Sequence, residues 1–260
     1  MNIVITGSTR GIGLGLAKAF LNNGHNVLIN GRDRMFCGEL YRELHNHYPR
    51  NLIHIYACDV TCYNSVDRMF WEAERFFGKV DIWINNAGMN QEHETIENQT
   101  NTNISQVIDL NLKATIYGTQ VAIKNMKDRG GFIYNMEGYG SNNMMTEKMP
   151  VYGATKRAVT YFTQSVSKEY KDSKVKIGLL SPGIVITDLL KKSLPENSQE
   201  RDRQIKMYNI LADKPDIVTS FLVNKILSNK KNGVSIKWLT TPKVLKRFIT
   251  CTFVKRNLFV

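Results

Sequence analysis

Short β-rich runs near residues 2–6, 26–30, 52–57, 80–84, 131–136, 175–181 and 234–239 alternate along the chain with longer amphipathic stretches. That alternation constrains the fold more than any other feature. Strands joined through helices run parallel, and a parallel sheet is covered on both faces, so its strands read as nearly unbroken apolar runs such as Val27-Leu28-Ile29. The pattern predicts an α/β fold: a doubly wound, Rossmann-type sheet of seven parallel strands with helices on both faces, plus a C-terminal helix. A chain of 260 residues fits one such domain.

Composition narrows the function classes. No apolar run approaches the roughly 20 residues that span a bilayer. Cys37, Cys58, Cys62 and Cys251 form no CxxC pair, and the histidines form no zinc-like set, so reduced thiols and no metal are expected. The formal charge of +12 fits a basic surface or an acidic cofactor. It comes without a nucleic-acid-binding motif, and no nucleic-acid partner is expected. The chain opens directly on a strand, which leaves no room for a leader and predicts a cytoplasmic protein.

The first strand runs into Gly7-Ser8-Thr9-Arg10-Gly11-Ile12-Gly13 and then into an apolar-periodic helix. Glycines let the backbone turn tightly against a pyrophosphate, whose charge suits a helix start; a purely structural turn is the plain alternative. The second strand ends in Gly31-Arg32, where a protein that prefers NAD would place an acid for the ribose 2′-hydroxyl. Arg10 and Arg32 can pair with a 2′-phosphate instead, or stand as solvated loop arginines. Together they point to NADPH/NADP+. Asp59, with Val60, ends the third strand and can accept from an adenine amino group. Asn86, Ala87 and Gly88 end the fourth, where amides tie strands and small residues admit an adenosine half.

Tyr152 and Lys156, four apart, share one helix face, where a cation can acidify a phenol that is otherwise idle at neutral pH. A core tyrosine beside a surface lysine is the structural alternative. The glycine turn, the Asn85-Asn86-Ala87-Gly88 segment, Asn111, Tyr152-Gly153-Ala154-Thr155-Lys156 and Ser181-Pro182-Gly183-Ile184-Val185-Ile186-Thr187 stand in order. Together they resemble the short-chain dehydrogenases/reductases over about residues 1–240. The resemblance implies a carbonyl substrate, a homodimer or homotetramer, Lys156 on the nicotinamide ribose, Asn111 in a water-linked proton relay and Thr187 at the carboxamide. It also puts Pro182, Gly183 and Val185 beside the cofactor.

One position departs from that family. Aligned on Asn135, Glu137 and Gly138 occupy the two serine positions of the usual Asn-x-Ser-Ser strand end. Ser141 is the expected substitute for the missing hydroxyl, with Tyr139 as second choice and an ordinary loop role as the alternative. The stretch from Asn135 to Ser141, with the segments 151–157 and 180–190, resembles the chlorophyll(ide) b reductases of plants and algae and their bacterial relatives, which reduce a formyl group on a large apolar pigment. A general reductase of small ketones or 3-oxoacyl thioesters, and an NADP(H)-binding sensor without catalysis, are the alternatives.

Two segments complete the organisation. The polar, charged segment 189–212 is expected to be a lid over the substrate. In residues 241–260, Pro242 starts a basic amphipathic helix in which Val244, Leu245, Phe248, Ile249 and Phe253 recur at helical spacing. That stripe is expected to pack on the parent domain or a sister subunit, ahead of a membrane surface.

Overall fold

The computed structural model describes residues 1–194, 197–251, 253 and 255–259. All seven expected strands form: β1 (Asn2–Ile5), β2 (Asn26–Gly31), β3 (Ile53–Ala57), β4 (Ile82–Asn85), β5 (Gly131–Met136), β6 (Val175–Ser181) and β7 (Ser235–Lys237). They pair in the order β3-β2-β1-β4-β5-β6-β7, every pair parallel. The order reverses between β1 and β4, and the crevice beyond the strand ends at that reversal is where such sheets take their ligands.

The first six helices are α1 (Gly11–Asn22), α2 (Arg34–His45), α3 (Tyr63–Phe77), α4 (Asn101–Ile108), α5 (Ala114–Met126) and α6 (Pro150–Glu169). They are followed by α7 (Asp188–Lys192), α8 (Ser198–Leu211), α9 (Pro215–Ser228) and α10 (Thr241–Thr250). One face of the sheet buries α1, α2 and α9 through Leu16, Phe20, Leu40, Leu44, Leu222 and Val223. The other buries α3 and α5 through Val66, Met69, Phe70, Val121 and Met126. Pro150, Pro215 and Pro242 each open a helix, where a missing N–H costs nothing. Among the described residues, no helix is long and apolar enough to cross a membrane.

A buried amide network fixes α5 and α6 to the sheet. Asn85 donates to Asn135 Oδ1 at 2.8 Å and to Thr119 at 3.1 Å, and Asn135 donates to Thr163 at 2.8 Å. Because α6 carries Tyr152 and Lys156, these bonds hold the tyrosine and lysine in register with the ends of β4 and β5.

The segment 189–212 is helical rather than an irregular connection: α7 and α8 occupy it, with residues 195 and 196 outside the described residues. The apolar stripe of the C-terminal helix faces outward. Leu245, Phe248, Ile249 and Phe253 are 48–86% exposed, so the stripe is not what packs on the parent domain. The contact is polar. Arg247 and Arg256 each donate to the Asp213 carboxylate at 2.6 Å, Trp238 Nε1 joins them at 2.6 Å, and the same arginines bond the carbonyls of Ile210, Leu211 and Ala212 at the end of α8.

Asp213 in turn exchanges backbone hydrogen bonds with Ile184 and Ile186, in the loop after β6. The clasp therefore joins the C-terminal segment to that loop. Asp213→Ala strips a buried carboxylate from two guanidinium groups and is expected to cost about 3–5 kcal/mol of unfolding free energy, measured by denaturant titration.

Candidate active site

The glycine turn is pressed onto the end of β4. Gly7 and Gly11 hold φ of +59° and +58°, and a Cβ at Gly7 would lie 2.7 Å from Ala87 Cα. At Gly13 a Cβ would come within 2.5 Å of Asn86 Nδ2, which itself donates to the carbonyls of Thr6 and Gly7 at 2.9 and 3.0 Å. No side chain caps α1 and no acid lies in its first turn, so the amides around Arg10, Gly11 and Ile12 are open to an anion. This cradle fits a pyrophosphate.

Several predicted cofactor residues shape the cradle from behind. The Ser8 hydroxyl donates to Ile5 O at 2.6 Å and accepts from Asn30 N at 2.9 Å, which uses it within the fold. Val60 and Val185 turn buried side chains, 3% and 5% exposed, into the core behind the strand ends. Asp59 Oδ1 accepts from both the backbone and hydroxyl of Thr61.

Thr187 caps α7 by accepting from Leu190 N at 3.3 Å, and its Cγ2 lies 3.5 Å from where a Gly11 Cβ would stand. The loop after β6, which turns at Pro182 and at Gly183 with φ of +68°, thus reaches the glycine turn. Arg10 and Arg32 are both exposed, each in a loop at the end of its strand. Between them, Gly31 packs under Thr9, whose Cγ2 would lie 2.5 Å from a Cβ there.

At the reactive end, Asn111 sits in a π-helical turn, Asp109–Lys113, that joins α4 to α5. Such turns interrupt helices mostly where a side chain must be re-aimed. Asn111 is fully buried, accepts from Met89 N at 2.8 Å, and donates to Met89 O at 2.9 Å and to Thr155 at 3.2 Å. Gly88 stands between it and the lysine: a Cβ there would be 3.1 Å from Asn111 Oδ1 and 3.5 Å from Lys156 Nζ. Asn111, Gly88, Tyr152 and Lys156 are therefore brought together.

Lys156 Nζ donates to Met136 O at 3.3 Å and lies 5.8 Å from the centre of the Tyr152 ring. Burial pushes the Tyr152 phenol up to about 12. Burial also pushes the Lys156 ammonium down to about 8, against the opposing charge of Glu137. The phenol stays protonated at neutral pH, as a proton donor must.

Ser141 does not take the expected place. A tight turn from Gly138 tucks it under α6, where its hydroxyl donates to Lys156 O at 3.3 Å and accepts from Gly138 N at 3.2 Å. Its proton is spent on the helix backbone, which corrects its assignment as the substitute hydroxyl. Tyr139 also turns away, donating to Met145 O at 2.9 Å. Against the Tyr152 hydroxyl stands Gly138, whose added Cβ would lie 2.4 Å from that oxygen.

The sequence profile of the short chain dehydrogenases matches residues 1–198. The chain belongs to that family. It is an oxidoreductase, and the curated relatives it resembles are named as reductases or oxidoreductases. The probable chlorophyll(ide) b reductase NYC1 of Oryza sativa subsp. japonica is 35% identical over 98% of this chain and 53% of its own length. The chlorophyll(ide) b reductase NOL of the same organism is 34% identical over all of this chain and 78% of its own. The chain spans about half the length of the NYC1 relatives.

Among solved structures, ElxO with NADPH bound superposes with a TM-score of 0.80 at 25% identity, over 91% of this chain and 96% of that one. A 3-ketoacyl-(acyl-carrier-protein) reductase from Brucella melitensis complexed with NADH gives 0.78 at 23%, over 91% and 95% of the two chains.

Sequence reasoning missed Gln91 in this family member. Its Oε1 accepts from Tyr152 N at 2.8 Å and so fixes the start of α6, yet nothing in the local pattern marks it. The Asp213 clasp was missed as well, although an acid ahead of Lys214-Pro215 and arginines in the C-terminal segment were visible.

Proposed function

We propose that this short-chain dehydrogenase is an NADPH-dependent carbonyl reductase acting on an aldehyde or ketone carried by a large apolar molecule, with a chlorophyll-type formyl group as the substrate class. The observation that carries the reaction is the buried Tyr152–Lys156 pair beside Asn111 and Gly88. A reduced nicotinamide supplies the hydride when bound. Tyr152 gives the carbonyl oxygen its proton, and the positive charge of Lys156 stabilises the phenolate left behind. Lys156 also holds the ribose, and the amides of the glycine turn hold the pyrophosphate.

Preference for NADPH is supported by the residues at the end of β2. Gly31 carries no carboxylate to repel a 2′-phosphate, and Arg10 and Arg32 offer guanidinium forks. Arg10→Ala combined with Arg32→Ala is expected to raise the Kd for NADPH by about tenfold or more while leaving NADH binding nearly unchanged, read by cofactor fluorescence titration.

The substrate class is supported by the similarity to chlorophyll(ide) b reductases along the whole chain. It is supported too by exposed apolar side chains on the loop after β5 and on α7 and α8: Met144, Met145, Leu189 and Met207. Pigment extract incubated with NADPH and the protein should lose the formyl chromophore. No pigment conversion, alongside turnover of a simple ketone or a 3-oxoacyl thioester, would overturn the pigment assignment and make the protein a general reductase. No turnover of any carbonyl would overturn the reductase reading in favour of a cofactor-binding sensor. A homo-oligomer goes with this reading, to be checked by sedimentation.

A further inference from the structure

Glu137 has no role in the chemistry above, yet it directly follows β5 beside the reacting pair and is only 8% exposed. Its backbone N–H donates to Leu180 O at 2.8 Å. Its Oε1 accepts from the Thr160 hydroxyl at 3.0 Å, and that same hydroxyl reaches Lys156 O at 3.2 Å, one turn back on α6. Lys156 Nζ bonds the carbonyl of Met136, the residue before Glu137, at 3.3 Å. Glu137 and Lys156 are thus both anchored where the end of β5 meets one turn of α6, without a direct ion pair between them.

The other groups facing Lys156 are neutral. Asn111 approaches from the π-helical turn and Gly88 from the end of β4, while Tyr152 lies on the same helix. Gly138 packs along the lysine stem, where its Cβ would be 3.0 Å from Lys156 Cγ. A buried ammonium without a counter-charge loses its proton readily, and a buried carboxylate held by one hydroxyl is poorly solvated. Each supplies what the other lacks.

We propose that Glu137 is a positioning residue of this site: its carboxylate, fixed by Thr160, holds Lys156 in its charged form beside Tyr152. The proposal rests on the reading of Tyr152 and Lys156 as the reacting pair. Glu137 stands where the family's usual strand end has its first serine, and it acts through the lysine rather than on the substrate.

The sign of the effect is fixed by the charge. Burial already draws the Lys156 proton affinity down, and Glu137 draws it up. Removing the carboxylate lets Lys156 deprotonate at lower pH, so the alkaline fall in turnover moves to lower pH.

The test titrates Lys156 directly in the cofactor-free protein by NMR of ¹³C-labelled lysine, its signal assigned with Lys156→Arg. The pH profile of NADPH oxidation is recorded in parallel. Glu137→Gln is expected to lower both midpoints by about one pH unit or more. Thr160→Val removes the hydroxyl but keeps the charge, and should lower the midpoint by less than Glu137→Gln does. Glu137→Asp draws the carboxylate back by one methylene and should give an intermediate midpoint.

A midpoint in Glu137→Gln equal to that of the wild type overturns the proposal. If that variant does not fold, an unchanged midpoint in Glu137→Asp overturns it. The NMR titration needs no substrate. Failure of the wild-type protein to reduce any carbonyl would thus count against the reductase reading, while the titration still decides on Glu137.

Discussion

Tyr152→Phe is expected to lower carbonyl reduction by about 10²–10⁴-fold while NADPH binding is retained. The ring stays, and with it the packing at the start of α6, where Gln91 holds the backbone N–H of residue 152 rather than its side chain. Only the hydroxyl is lost. Burial keeps that phenol protonated far above neutral pH, and the other nearby hydroxyls are committed: Ser141 to Lys156 O, Tyr139 to Met145 O, Thr155 to Tyr152 O. None of these hydroxyls is free to donate in its place. Single-turnover oxidation of bound NADPH separates the chemical step from binding, and a variant rate close to wild type would show that the proton comes from elsewhere.

The architecture was legible because parallel strands announce themselves. Runs such as Ile3-Val4-Ile5 and Ile82-Trp83-Ile84 are buried on both faces of the sheet, and no other common fold asks for that pattern at this spacing. The glycine turn was legible for a related reason: Gly7 and Gly11 adopt a backbone conformation that other residues resist. What stayed hidden depends on partners distant in sequence. Asp213 meets Arg247 and Arg256 across 34 and 43 residues, and no local pattern encodes such a clasp.

The helix α8 was hidden for another reason. None of its residues is buried, so it lacks the apolar periodicity by which helices are read. The misplacement of Ser141 has the same origin as the clasp. Counting along the chain put a hydroxyl near Tyr152, but the turn from Gly138 to Ser141 sends that hydroxyl to the carbonyl of Lys156. Distance along the sequence could not show which side of the turn faces the reacting carbonyl.

Restoring the family's serine at Gly138 is expected to damage the site rather than improve it. The added Cβ would lie 2.4 Å from the Tyr152 hydroxyl, 3.0 Å from Lys156 Cγ and 3.2 Å from Lys156 Cδ, so both members of the pair must shift. A displacement near 1 Å of a reacting group costs about 10²-fold in rate, and a loss of that order is predicted for Gly138→Ser. Gly138→Ala should lose as much, because the Cβ and not the hydroxyl causes the clash. Steady-state turnover of the two variants, with folding checked by thermal melting, decides the matter. A gain of activity in Gly138→Ser with a loss in Gly138→Ala would mean that a hydroxyl alone is missing. The equal loss expected here means instead that Tyr152 has settled into the space a side chain would fill, so the glycine and the placement of the phenol form one arrangement. A substrate carbonyl then meets a single donor, and the orientation that a serine usually helps to impose must come from the apolar body of the substrate against the walls around it.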